Sequence, residues 1–259
     1  MRPQSISAIV QAAIDTERSV ELDAFLITTT LDRVGELVEG GAFRVDPVLR
    51  LAINATPASL LDPRFEAGAF AARVRAAGIE PHQVTVECTE QQAVADVGPL
   101  QQAVAALRRA GFGFAVDDAG AGYASFALIA ALRPTVIKID RDIVAGIARD
   151  DAKQALVEAF VSFGRRIGAR LLAEGIERRA DLALVKALGV VLGQGYLLGR
   201  PTERPEAPRS MDLLGLDGAG MSARAAIGGR VERAAQVARM AGNGQVPSLQ
   251  VGDGRFGSD

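Results

Sequence analysis

Two adjacent carboxylates, Asp117 and Asp118, close the run GFGFAVDD and are followed by Ala119 and then Gly120-Ala121-Gly122. Ahead of them Phe112, Phe114 and Val116 alternate with small residues, the pattern of a short strand buried on both faces. A strand tip that opens into glycines sets two anions where the backbone can bend sharply, at the end of a parallel sheet where metal-binding and catalytic groups gather. Taken alone, Asp117-Asp118-Ala119-Gly120 reads better as a strand-ending turn with solvated carboxylates. Five further stretches that read as strands also end in polar side chains, and they shift the balance: Asn54, Glu87, Lys138, Glu174 and Gln194. Carboxylates and amides without a cluster of His or Cys point to Mg²⁺ or Mn²⁺, with Ca²⁺ as an inhibitor-like substitute, rather than to zinc. Lys138 is the natural electrostatic partner of an oxyanion or of a metal-bound water.

The elements that must position these groups can be read from periodicity. Apolar residues at helical spacing predict helices over about 5–18 and 20–39, then over 65–77, 99–110, 125–132, 143–167 and 179–188. Strands are predicted at 48–54, 84–90, 111–118, 135–140, 170–175 and 190–195, with a turn at Thr56-Pro57. Alternation of strand and helix implies a parallel sheet with helices outside it, and in a barrel of such units every strand end converges on one face.

Composition bounds the function. The 259 residues are 49% hydrophobic, enough to bury a substantial core. A single cysteine, Cys88, excludes a disulfide framework and suits a reducing cytosol. With 29 basic against 31 acidic residues, no broad basic surface for nucleic acid is expected. No apolar run approaches the roughly 18 residues of a membrane span, so the expected location is the cytoplasm, away from membranes. His82 is expected in a solvated turn at the far end of the barrel, Cys88 as a small hydrophobe under a helix. The pairs Arg108-Arg109 and Arg165-Arg166 are expected as solvated helix ends.

The stretches LRLAINATPASL, VTVECTE, FAVDDAGAGYASF, VIKIDRDIV, LLAEGIE and LGQGYLLGRP occur in this order along residues 1–205. Together they resemble the EAL domain, the bacterial phosphodiesterases that linearise cyclic di-GMP. The resemblance implies a TIM-like (β/α) barrel of the EAL type, N-terminally truncated here to about six strands, acting in second-messenger signalling. It implies a two-metal Mg²⁺ or Mn²⁺ site in which Asn54, Glu87 and Asp117 hold the first cation, with Asp117 shared. Asp118 and Glu174 would then serve the second cation or its water, and Lys138 would hold the attacking water. Gln194 matches a catalytic position, Glu177 a substrate-binding one, and Glu90 the residue that locks the loop after Asp118.

Two departures accompany the resemblance. The Glu-Ala-Leu signature, whose glutamate is a metal ligand in the family, occurs nowhere in the chain; Glu158-Ala159-Phe160 lies mid-helix and does not replace it. Ala119 and Ala121 stand where the family usually has Phe and Thr, which predicts a looser loop. Three readings therefore stay open: a working cyclic di-GMP phosphodiesterase, a degenerate EAL module that binds cyclic di-GMP or a protein without cleaving, and a metal-dependent hydrolase of another phosphodiester. Residues 206–259 shift toward Pro, Gly and Ser and read as a disordered tail with one arginine-bearing helix over 223–240. A homodimer, and a sensor or partner protein reached through that tail, complete the expected partners.

Overall fold

The structure, a computed structural model, describes residues 6–41, 51–89, 96–120 and 126–202. Two helices come first, α1 (Ile6–Asp15) and α2 (Ser19–Glu39), and α2 turns Ile27, Leu31, Val34 and Leu37 inward at helical spacing. Strand β1 (Leu51–Asn54) leads into a five-residue helix, α3 (Pro57–Leu61), where the sequence predicts only a turn. The reason is local: the Thr56 hydroxyl accepts from Ser59 N at 3.2 Å and Pro57 sits at the first helical position, a favourable start. Helix α4 (Ala67–Ala76) and strand β2 (Val84–Thr89) follow, then α5 (Val97–Arg109) and β3 (Gly113–Ala119). The chain continues through α6 (Phe126–Leu132), β4 (Val136–Ile139), α7 (Arg141–Val144), α8 (Asp151–Ile167), β5 (Arg170–Ala173), α9 (Arg179–Ala187) and β6 (Leu192–Gly193).

The six strands among the described residues are all parallel, in the order β1-β2-β3-β4-β5-β6, so the sheet curls as a half-barrel with helices on its convex side. Strand β6 is shorter than the predicted 190–195, because only Leu192 and Gly193 pair with β5 before the chain turns at Gly195. The helices predicted over 143–167 are separated where Gly146 takes a left-handed conformation and a 3₁₀ turn, Ile147–Arg149, intervenes before Asp150 caps α8.

The alternation of each strand sorts its side chains between two cores. Toward the helices point Leu51, Ile53, Val84, Val86, Phe114, Val116, Ile137, Ile139 and Leu171, all buried in one continuous cluster. Removing a fully buried side chain such as Phe114 from water contributes about 1.5–3 kcal/mol. Toward the barrel interior Ala115, Val136, Leu172 and Leu192 form a separate small apolar layer, held by the pairings Ala115↔Val136 and Leu172↔Leu192. The polar strand ends stand one layer above this floor.

His82 is exposed in a 3₁₀ turn just before β2, and Cys88 is buried in the main core, its thiol pushed up to about 12 by burial. Arg108 corrects the solvated-pair reading: it is half-buried, and its guanidinium donates to the carbonyls of Leu132 and Arg133. Among the described residues no helix is long and apolar enough to cross a membrane. Glu90, Ala121 and the tail 206–259 lie outside the described residues.

Candidate metal centre

Register carries the site. Asn54 is opposite Glu87, and Glu87 is opposite Ala115, whose strand reaches Asp117 two residues on. Ala115 in turn pairs with Val136, two residues before Lys138; Lys138 pairs with Leu172, two residues before Glu174; Leu172 pairs with Leu192, two before Gln194. One interior layer thus receives a polar residue from each strand.

Simple alternation would send Asp117 and Asp118 to opposite faces. The ladder between β3 and β4 shifts instead, with Val116↔Ile137 and Ala119↔Ile139, so that Asp117 and Asp118 together oppose the single residue Lys138. This is a β-bulge, and its turning residue is Asp118, at φ 55 in the left-handed region. A non-glycine residue held there is strained, a state that persists at functional sites because the surroundings enforce it. The surroundings are visible: Asp118 N donates to Asp117 Oδ1 at 2.9 Å, and Asp140 N anchors to Ala119 O at 3.2 Å. Gly120 follows at φ 94, where a Cβ would come 2.2 Å from Ile143 Cδ1.

Lys138 is the hub. Its ammonium contacts Glu87 Oε2 at 2.7 Å, Asp117 Oδ1 at 2.9 Å and Glu174 Oε1 at 2.7 Å, and its side chain is 4% exposed. Burial alone would lower its pKa, but the three carboxylates outweigh burial and raise it. Lys138 is therefore a fixed cation. Glu174 is pushed up to about 7, by burial first and by the neighbouring Asp117 and Glu87 charges, with Lys138 opposing. Three buried or half-buried carboxylates, Glu87, Asp117 and Glu174, share this one ammonium, and the buried Asp118 adjoins two of them. Removing such charges from water is expensive unless cations compensate them.

Three of the carboxylates form a donor set of the size a cation needs. One carboxylate oxygen each from Asp117, Asp118 and Glu174 lies within 4.8 Å of the others, two of the residues buried and the third half-buried. Oxygen donors of this kind suit a hard divalent cation. Asn54 is exposed at the open end, Gln194 is half-buried and Glu177 exposed. The strand ends are laced by backbone bonds: Glu174 N to Ile139 O at 3.1 Å, Gln194 N to Ala173 O at 2.9 Å, and Ile176 N to Gln194 O at 3.0 Å. Sequence reasoning missed Asp23 of α2, 8% exposed, whose Oδ2 accepts from Thr56 N at 2.7 Å, Thr56 Oγ1 at 2.8 Å and Ser59 Oγ at 2.5 Å. The one signal available was an acidic residue in the apolar stretch of a helix.

Fold and site together define a β/α half-barrel with a carboxylate-rich centre at the strand ends. The EAL domain family model matches residues 3–201, and the chain belongs to this family. It is 35% identical over 123 residues to the bifunctional diguanylate cyclase/cyclic di-GMP phosphodiesterase MucR of Pseudomonas aeruginosa, covering 48% of this chain and 18% of that one. It is 31% identical over 157 residues to the cyclic di-GMP phosphodiesterase PdeF of Escherichia coli, covering 60% and 21%. The chain thus spans about a fifth of the length of these relatives. Among solved structures it resembles Klebsiella pneumoniae BlrP1 in a manganese/cyclic di-GMP complex, with TM-score 0.63, 32% identity, and 74% and 48% of the two chains covered. The PaMucR phosphodiesterase in complex with cyclic di-GMP gives TM-score 0.61 and 27% identity, covering 74% and 76%.

Proposed function

We propose that this chain is a divalent-metal-dependent phosphodiesterase that opens cyclic di-GMP to the linear dinucleotide. The observation that carries the reading is the gathering of Glu87, Asp117 and Glu174 on the buried Lys138, with Asp118 beside Asp117 and Glu174, at the ends of parallel strands. Asn54, Glu87 and Asp117 would hold one cation, and Asp117, Asp118 and Glu174 the other, with Mg²⁺ or Mn²⁺ the ions of matching chemistry. When bound, such a pair acidifies a water and steadies the attacking and leaving oxygens of an in-line displacement.

The chain's own groups divide the remaining work. Lys138 stays protonated, so it donates rather than accepts: it orients the nucleophilic oxygen and stabilises negative charge growing on it. Glu174, held beside Lys138 at 2.7 Å, takes up through its carboxylate the proton that the nucleophile sheds. The oxygen adds to phosphorus, one P–O ester bond breaks, and the departing alkoxide takes up a proton. Gln194 at the end of β6 orients the nucleophile from the far side, and Glu177 faces the nucleotide. The likeness to proteins named as cyclic di-GMP phosphodiesterases supports this substrate over other diesters. Assay of the chain with cyclic di-GMP and Mn²⁺ tests it, with Asp117→Ala as the inactive control.

A second reading has its own observation: the Glu-Ala-Leu signature is absent from the sequence. A module that binds cyclic di-GMP without cleaving it would show saturable binding and no linear product in the same assay.

A further inference from the structure

We infer that Asp23 on α2 is a positioning residue for Asn54, so that the helix ahead of the sheet sets the geometry of a metal ligand. The inference rests on the proposed metal-dependent reading. Asn54 is the most solvent-exposed of the proposed ligands, and a side chain with little packing around it points wherever its backbone points. That backbone is held from two sides. Ala55 N donates to Glu87 O at 2.9 Å, which fixes the chain to the neighbouring strand immediately after Asn54. One residue further, Thr56 presents its N–H and its hydroxyl to the same carboxylate oxygen of Asp23, at 2.7 and 2.8 Å, while Ser59 adds its hydroxyl at 2.5 Å.

The Thr56 hydroxyl also contacts Ser59 Oγ at 3.0 Å and accepts from Ser59 N, so the Asp23 carboxylate organises the whole first turn of α3. A carboxylate reaching across 33 residues to a turn is not required to cap a five-residue helix, because Thr56 caps it already. What the long reach adds is a fixed position for the turn relative to α2. Partners of this kind, one step behind the ligands, orient the coordinating group, and their loss costs about 10- to 100-fold in metal affinity or activity.

The test is calorimetric titration of the 259-residue chain with Mn²⁺ alone, which reads the site without catalysis. Asp23→Ala is expected to weaken the Mn²⁺ site that Asn54 serves by about tenfold or more. Asn54→Ala is expected to weaken it comparably, and the double variant to bind no more weakly than Asn54→Ala alone, because residues acting through one another are not additive. A purely structural Asp23 would instead lower the melting temperature in both backgrounds and leave Mn²⁺ affinity unchanged, or reduce it by the same factor in each; either result overturns the inference. Should Asp23→Ala fail to fold, Asp23→Asn and Ser59→Ala replace it, with severalfold losses expected and native affinity in both overturning the proposal. No Mn²⁺ binding by the native chain would contradict the metal-dependent reading and this inference with it. Native binding with an unaltered Asp23→Ala would remove the positioning role alone.

Discussion

At the residue scale the site turns on one lysine and one glutamate. Lys138 forms three buried ion pairs, and deleting one partner of such an arrangement leaves uncompensated charge. Lys138→Met is expected to destabilise the metal-free chain by about 3–5 kcal/mol, read as a lower urea midpoint, with part of the loss recovered by added Mn²⁺. Turnover should fall in the same variant even at saturating metal. Glu174 supplies a pH dependence. Its folded pKa, about 7, stands above the ordinary value of 4.5, so its contribution to metal-free stability is present below 4.5 and is lost as pH rises through about 7. Metal affinity runs the opposite way, since the ligand must shed its proton: Mn²⁺ binding should strengthen from pH 5 to about 7 and level off above. Titrations at several pH values check this, and Glu174→Gln should flatten the profile.

At the element scale, the close approach of β6 to the turn after β5 fixes Gln194. Gly195 has φ 157, and a Cβ there would lie 2.2 Å from both N and O of Ile176. Gly195→Ala therefore cannot be absorbed by a rotating side chain, and a cost of about 1–3 kcal/mol is expected in a denaturation experiment, with reduced turnover as Gln194 shifts. What could be read from the sequence, and what could not, divides along the same physics. The strands were legible because buried parallel strands are continuous apolar runs and their last residues meet solvent at one end, which placed Asn54, Glu87, Asp117, Lys138, Glu174 and Gln194 in advance. The bulge was not, because it depends on β3 and β4 slipping register by one residue, and a pairing between strands leaves no mark in either strand alone. Helix α3 was hidden behind Thr56-Pro57, which marks a turn and a helix start equally well. The grip of Lys138 on three carboxylates, and of Asp23 on the β1–α3 turn, needed tertiary distances.

At the scale of the whole molecule, six parallel strands gather a carboxylate-rich centre above a small apolar floor, in a chain that belongs to the EAL domain family. The central claim is that this centre hydrolyses cyclic di-GMP with bound divalent cations. The most direct measurement is chromatographic detection of the linear dinucleotide after incubating the 259-residue chain with cyclic di-GMP at saturating Mn²⁺, beside Asp117→Ala and an EDTA-treated sample. The account predicts product from the native chain and none above background from either control. Cyclic di-GMP that binds in the presence of Mn²⁺ yet stays intact, at the level of Asp117→Ala, would contradict it and leave a binding module in its place.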